Sequence, residues 1–532
     1  MGTGLAVRCG DEEMGSRVPM TQWFLTSRER GNPSTRLDSP HPGEVAWTEG
    51  NLVRPLIHGA TYFAELHRRV SQMRHGDLLM FADWRGDPGE RLTDSPGTEV
   101  GAVFAQAARR GVDVRGLLWR SHLDRFAFSA EQNRELGEEI NDAGGQCLLD
   151  MRVRAGGSHH QKFVILRHRD RPALDVAFLG GIDLCHSRRD DASHRGDPQP
   201  LPMAAAYGPR PPWHDVQLAI SGPAVGDVET VFRERWENPQ ALSRSPIRWL
   251  EDRIRHDNPH RTPLPPQHPD PEPAVPHPVQ LLRTYPRRLG GYPFAPAGER
   301  SVARGYTKAV NQARRLIYIE DQYLWSPEVA VTLARSLQRN PGLHLVAVLP
   351  QFPDKDGHIS MPPNLIGRTR AIATLREAAP GRVAVYGLES PQGVPVYVHA
   401  KVCIIDDQWA SVGSDNFNRR SWTHDSELTA AVFDPRYARA LRLTLAGEHL
   451  DREEPLDDLH DPADLFAIFA SSAATLQRWY DGGCTGARPP GRLRPLRDGT
   501  LKPFTQAWST VLYHLVYDPD GRSIRSRIRR SF

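Results

Sequence analysis

Cysteine is scarce and scattered: Cys9, Cys147, Cys185, Cys403 and Cys484 are five residues in 532, odd in number and never spaced Cys-x-x-Cys. That pattern excludes a disulfide framework and a cysteine zinc site, and reduced thiols in a cytoplasmic setting fit best. Long apolar runs are also missing; nothing approaches the roughly 20 residues that cross a bilayer. The leading residues MGTGLAVRCGDEEMGSRVPMTQWF carry acids where a secretion signal would be apolar, and Met14 and Met20 are alternative starts because the organised pattern begins after them. Charge of one sign is missing as well: 67 basic against 64 acidic residues leave a net +3. This balance gives no global electrostatic case for binding nucleic acid, so any basic function must be local and nucleic acid is not an expected partner.

Proline and glycine, by contrast, are plentiful, with 46 and 44 residues in a chain that is 39% hydrophobic and 25% charged. This is a globular composition with long loops, in a chain too long for one ordinary core. Proline concentrates in EDRIRHDNPHRTPLPPQHPDPEPAVPHP, residues 251–278, through which neither helix nor central strand persists. The expected organisation is an N-terminal extension (1–45, partly disordered), a first half (46–250), this linker or mobile lid (251–278), a second half (279–450) and a helical or irregular C-terminal part with a basic tail (451–532).

Both halves read in the same order. HGATYFAELHRRVSQMRHGD has helical spacing and leads into the strand-like LLMFADW, as GERSVARGYTKAVNQARR leads into LIYIEDQYLW. EVGAVFAQAARRG precedes VDVRGLLW, as PEVAVTLARSLQRN precedes LHLVAVLP; AFLGGIDL and WASVGSDN then follow a His-x-Lys stretch in each half. Helix, strand, helix, strand and then paired strands is an α/β pattern, and its repetition predicts a duplicated domain with a pseudo-two-fold relation.

The repeated stretch is HHQKFVILR (159–167) and VHAKVCIIDD (398–407). If it forms a strand, His160 and Lys162 share one face, as do His399 and Lys401. Packing of the halves would then converge two imidazoles and two ammonium groups on one pocket, which suits a phosphoryl group: one histidine attacks, the other donates and accepts protons, and the lysines offset charge. Ser414 and Asn416 are candidates to hydrogen-bond phosphate oxygens, and Gly413 to leave room for close approach; Gly180, Gly181 and Asp183 take the equivalent places in the first half. A carboxylate fixing each imidazole tautomer is also needed, with Asp215 the candidate for His160 and Glu427 for His399. His159 points opposite to Lys162 and reads as structural.

The duplicated HxKxxxxD pattern resembles the phospholipase D superfamily, with the second copy complete in His399, Lys401 and Asp406 and followed by Gly413, Ser414, Asp415 and Asn416. PWHDVQLAISGPAV, IYIEDQYLW and LRLTLAGEHL are similar to further family segments, so the resemblance spans residues 46–450 and lies nearest phospholipase D proper. It implies two tandem α/β halves, each a mixed sheet flanked by helices, with an active site at their interface. The implied catalytic set is His160, Lys162, His399, Lys401 and Asp406, with His160 the nucleophile and His399 the general acid and base, or the reverse. No cofactor or metal is implied. Head-group hydrolysis of glycerophospholipids to phosphatidic acid, with transfer to alcohols, is the expected reaction, carried out by a monomer in peripheral contact with a membrane. A cardiolipin synthase-like transferase, a nuclease and a non-catalytic phospholipid-binding relative are the rivals. The first copy departs from the pattern at Arg167, where the family has aspartate, and in GGID for GSxN.

Overall fold

Runs apolar up to their last residue, such as LLMFAD and LIYIE, become central strands because both of their faces are covered, as parallel sheets require. The computed structural model describes residues 20–41, 43, 45–121, 130–243, 245, 250, 254, 260–273, 275, 277–357, 361–453, 456–496, 502–528 and 532. The alternative starts before Met20 and residues 529–531 of the basic tail lie outside the described residues.

The first half supplies β1 (Thr48–Ile57), β2 (Leu78–Asp83), β3 (Asp113–Trp119), β4 (Gln146–Asp150), β5 (Phe163–Arg167), β6 (Val176–Gly180), β7 (Trp213–His214) and β8 (Val216–Ser221). All but β7 form one sheet in the order β4-β3-β2-β5-β6-β8-β1, with β4, β3 and β2 parallel and the remaining neighbours antiparallel. The second half supplies β9 (His277–Tyr285), β10 (Glu299–Arg300), β11 (Leu316–Glu320), β12 (His344–Val348), β13 (Val383–Glu389), β14 (Pro395–Val398), β15 (Val402–Ile405), β16 (Trp409–Gly413) and β17 (Glu427–Phe433), and the C-terminal part adds β18 (Leu493–Pro495). Its main sheet runs β13-β12-β11-β15-β16-β17-β9, the same order with the same parallel trio, and β18 extends it beyond β13.

Alternation along each strand divides the core. Leu79 and Phe81 of β2 pack against the helices Gly59–Ser71, Val100–Arg109 and Ala130–Asp142, while Leu78 and Met80 turn the other way. On that inner side they join Ile165, Leu218, Tyr318, Ile404 and Val412 in a core shared by both sheets, with the helices Ala224–Trp236 and Pro435–His449 between them. The halves are also stitched directly, β1 to β9 and β7 to β14. Each half holds one more helix–strand unit than its periodicity shows. Ala130–Asp142 is mostly polar, and Met361–Ala378 opens on two prolines, which its first turn accepts because those N–H groups have no intrahelical partner.

Three expectations change. Residues 20–41 are no loose extension: Trp23, Phe24 and Leu25 enter the second half's core, and buried Arg30 pairs with Asp38 at 2.8 Å and Glu299 at 3.1 Å. Where it is described, the proline-rich segment is no lid over the cleft. Its residues 260–273 run along the first half, where Trp236 donates to the Thr262 carbonyl at 3.0 Å and Arg167 donates to the His268 and Pro269 carbonyls at 2.7 and 2.8 Å. The C-terminal part is more than a helical or irregular extension, since Leu515, Val516 and Tyr517 reach the cleft described below.

Arg167, the departure from the family pattern, is fully buried and paired with Glu229 at 2.9 Å and Asp175 at 3.2 Å. It ties strand, helix and linker together at the end of β5 away from His160. Arg167→Asp would match the family's pattern in letter but set a third carboxylate in a dry site. We expect a stability loss of about 3–5 kcal/mol, read as a lower urea midpoint, with turnover per folded molecule unchanged.

Candidate active site

The His-x-Lys stretches precede their strands rather than lie on them: β5 starts at Phe163, and His399 to Lys401 bridge β14 and β15. Strand alternation therefore does not align the two side chains. Each lysine folds back instead, Lys162 Nζ donating to the His160 carbonyl at 3.0 Å and Lys401 Nζ to the His399 carbonyl. The histidines are held by the opposite half. His160 N donates to the Ser426 carbonyl at 2.9 Å, and His399 N to the His214 carbonyl at 2.8 Å.

The carboxylates are crossed in the same way, which reverses the expected pairing. Asp215, leaving β7 of the first half, sits 2.7 Å from Nδ1 of His399, and Glu427, opening β17 of the second half, sits 3.0 Å from Nδ1 of His160. Physically, β7 pairs with β14 across the interface, and Ser426 bridges to the chain at His159, so each acid arrives beneath the other half's imidazole. Among the described residues neither Nε2 has a hydrogen-bond partner.

Several supporting residues act differently from expectation. A Cβ at Gly181 would lie 2.2 Å from Asp215 Oδ1, so the glycine makes room for that carboxylate. Gly413 admits Thr429 of the neighbouring strand, whose Oγ1 would lie 1.9 Å from an added Cβ, rather than a ligand. The Ser414 hydroxyl donates to Glu427 Oε2 at 2.5 Å and is thus spent on orienting the acid. Asp183 pairs with Lys162 at 3.3 Å and Arg188 at 3.6 Å, while Asn416 alone of the GSDN group faces the cleft. Asp406 is not at the site: at the far end of β15 its carboxylate accepts from the backbone N–H groups of Arg314, Arg315 and Leu316 at 2.7–2.9 Å. His159 is buried and bonds to Gln161 at 3.0 Å, as a structural residue would.

Burial, and then the lysine of its own motif, holds each imidazole well below the usual histidine range. Burial also lowers Lys401 to about 8 and raises Glu427 well above the carboxylate range. Desolvation works to raise Asp183, yet Lys162 and Arg188 bring it down to about 2. Both shifts favour the neutral imidazole before a ligand arrives, and an anionic phosphodiester placed between the rings would favour their protonation. Burial raises Asp215 as well.

His160 opens into a cleft of about 600 Å³ lined by Trp84, Trp119, Tyr323, Trp325, Asn416 and Tyr517 among others. Four contacts of the site went unread in the sequence. Lys162 lies 5.6 Å over the Trp84 ring, Arg188 3.9 Å over Trp213, the Trp213 ring 4.9 Å from His399, and Gln322 3.5 Å from Lys401. Trp213 and Gln322 stand inside the segments PWHD and IYIEDQYLW, which were the available signal.

Two like lobes that trade carboxylates beneath paired histidines define a duplicated two-histidine α/β protein. A family model described as "Phospholipase D" matches residues 90–270, and one described as "Cardiolipin synthase, PLD-like domain" matches residues 306–446, each enclosing one His-x-Lys motif. The chain belongs to the phospholipase D superfamily. It is 25% identical to phospholipase D alpha 1 of Oryza sativa subsp. japonica over 74% of this chain and 63% of that protein. It is 24% identical to phospholipase D alpha 4 of Arabidopsis thaliana over 79% of this chain and 68% of that one. The chain thus spans about three-fifths to two-thirds of the length of these relatives. Phosphatidylserine synthase of Haemophilus influenzae Rd KW20 shares the fold, with a TM-score of 0.50 and 13% identity over 83% of this chain and 98% of that one.

Proposed function

We propose that the protein is a phosphodiesterase that removes head groups from glycerophospholipids through a phosphohistidine, leaving phosphatidic acid. The observation that carries this reading is that each imidazole has a carboxylate on Nδ1 and, among the described residues, an Nε2 with no hydrogen-bond partner. In its ionised form each carboxylate accepts from Nδ1–H and leaves Nε2 as the reactive atom, against the burial that raises both acids. His160 lines the cleft and is the more exposed of the two, 15% against 7%, which favours it as nucleophile.

In the first step His160 Nε2 bonds to phosphorus as the P–O bond to the head group breaks, and the leaving oxygen takes a proton from His399, protonated once the anionic substrate is bound. In the second, water loses a proton to His399 Nε2 while its oxygen bonds to phosphorus and the P–N bond breaks. Lys162 and Lys401 offset charge on the non-bridging oxygens. An alcohol in place of water gives transfer, a second outcome supported by the cardiolipin synthase-like match over the second half. Vesicles of phosphatidylcholine, phosphatidylethanolamine and phosphatidylglycerol, with and without ethanol, test both. Release of no head group from any of them, together with nicking of plasmid DNA, would replace this reading with a nuclease.

Peripheral contact with a lipid surface is part of the proposal. Phe504, Val511, Leu515 and Val516 are 83%, 57%, 71% and 54% exposed, and the last two also line the cleft. Among the described residues no helix is long and apolar enough to cross a membrane. Leu515→Asp with Val516→Asp should lower activity on vesicles roughly tenfold or more, since one such side chain buried in lipid contributes about 1.5–3 kcal/mol. Activity on a monomeric short-chain substrate should be retained; equal loss on both would remove the membrane role.

A further inference from the structure

A second group of histidines lies outside the catalytic pair and is fully assembled from distant pieces of chain. His58 opens the helix Gly59–Ser71, His194 lies in the loop between β6 and β7, His214 ends β7, and Glu448 is near the end of the helix Pro435–His449. Nε2 of His58 and Nε2 of His194 stand 2.8 and 2.9 Å from the Glu448 carboxylate, and Nδ1 of His214 stands 3.5 Å from it. One ligand atom from each of the four residues lies within 4.8 Å of the others.

Hydrogen bonding alone leaves this group unresolved. His214 Nε2 is 2.7 Å from Glu320, so the neutral ring donates there, and its Nδ1 lone pair then faces the Glu448 oxygen. That Nδ1 is buried and has no hydrogen-bond partner, as is true of Nδ1 of His194. Glu320, Glu448 and Asp190 contact these rings, and among the described residues the only lysine or arginine within ion-pair distance of the three is Arg492, 3.8 Å from Glu448. With the imidazoles neutral, three carboxylates against one guanidinium leave two negative charges to be met, either by protons on the rings or by a bound cation. The surroundings also match a ligand's outer partners: Glu320 accepts from His214 on the ring edge away from the cluster, and Asp190 lies 3.6 Å from the far nitrogen of His194.

We propose that His58, His194, His214 and Glu448 form a closed, four-ligand site for a divalent transition ion, with zinc the best match to three imidazoles and one carboxylate. The ion is structural: all four positions are taken by protein, so none remains for a substrate. It pins three segments of the first half to the closing helix of the second. Through His214 it bears on the active site, because the His214 carbonyl accepts from the backbone N–H groups of His399 and Ala400, and the next residue, Asp215, holds the His399 ring.

The test is metal content of the full-length protein, expressed with added zinc and dialysed against metal-free buffer. Mass spectrometry should find about one zinc per chain, as a closed site retains, and strongly reduced content in His194→Gln and Glu448→Gln. Stripping the wild type with dipicolinate should lower its melting temperature by several degrees, and zinc should restore it, whereas the variants should respond to neither. Should the variants not fold, the wild type's metal content and chelator response decide alone. A wild type without stoichiometric zinc, and with a melting temperature unmoved by chelator or by added zinc, overturns the proposal and leaves His214 as a buried imidazolium between two glutamates.

Discussion

His160→Ala and His399→Ala should each lower the proposed phosphodiesterase activity by about 10⁴-fold or more, with the double substitution hardly worse than either, as for two imidazoles that act as a unit. The two losses differ in kind once the head group is replaced by a good leaving group such as p-nitrophenol, which departs without needing a proton. His399→Ala should then still form the phosphohistidine and accumulate it, since no base activates water; His160→Ala should form none. Peptide mapping after a rapid acid-free quench locates the phosphate. A trapped phosphate on His399 in the His160→Ala variant would reverse the assignment of roles, and full activity in either alanine variant would sink the mechanism.

The crossed carboxylates give the second large effect. Asp215→Asn should reproduce the His399→Ala phenotype and Glu427→Gln the His160→Ala phenotype, although sequence neighbourhood links each acid to the other histidine. The expected fall in kcat is about 10²–10⁴-fold with KM little changed, the scale seen when a histidine's orienting carboxylate becomes an amide and the wrong tautomer is favoured. On the p-nitrophenyl substrate Asp215→Asn should keep its burst of product and Glu427→Gln should lose it. A burst retained by Glu427→Gln and lost by Asp215→Asn would mean that the acids serve the histidines of their own halves. Both substitutions are nearly isosteric and remove a buried charge that desolvation already disfavours, so stability should change less than activity.

Much of the architecture was legible. LLMFADW, LIYIEDQYLW, VDVRGLLW and LHLVAVLP are mostly apolar along both faces and follow helices with a single buried stripe, and that combination leaves parallel α/β units as the physical solution. The third helix–strand unit of each half was not, because AEQNRELGEEIND shows only a thin apolar stripe. Nor does local pattern reveal that Arg167 and residues 260–273 pack together, since a buried arginine is defined by partners far along the chain.

The site divides along the same line. The sequence by itself determined the duplicated α/β fold and singled out two histidines, two lysines and two carboxylates that the structure brings together, because repeated residue types in repeated order survive in one dimension. Only the tertiary structure decided which acid serves which histidine, that Ser414 and Gly181 support those acids instead of touching a phosphate, and that Asp406 is a backbone clamp. It also decided that His58, His194, His214 and Glu448 meet. These are relations across an interface between two lobes, set by β7 pairing with β14 and β1 with β9, and spacing along a chain carries no information about which of two similar surfaces a side chain will face.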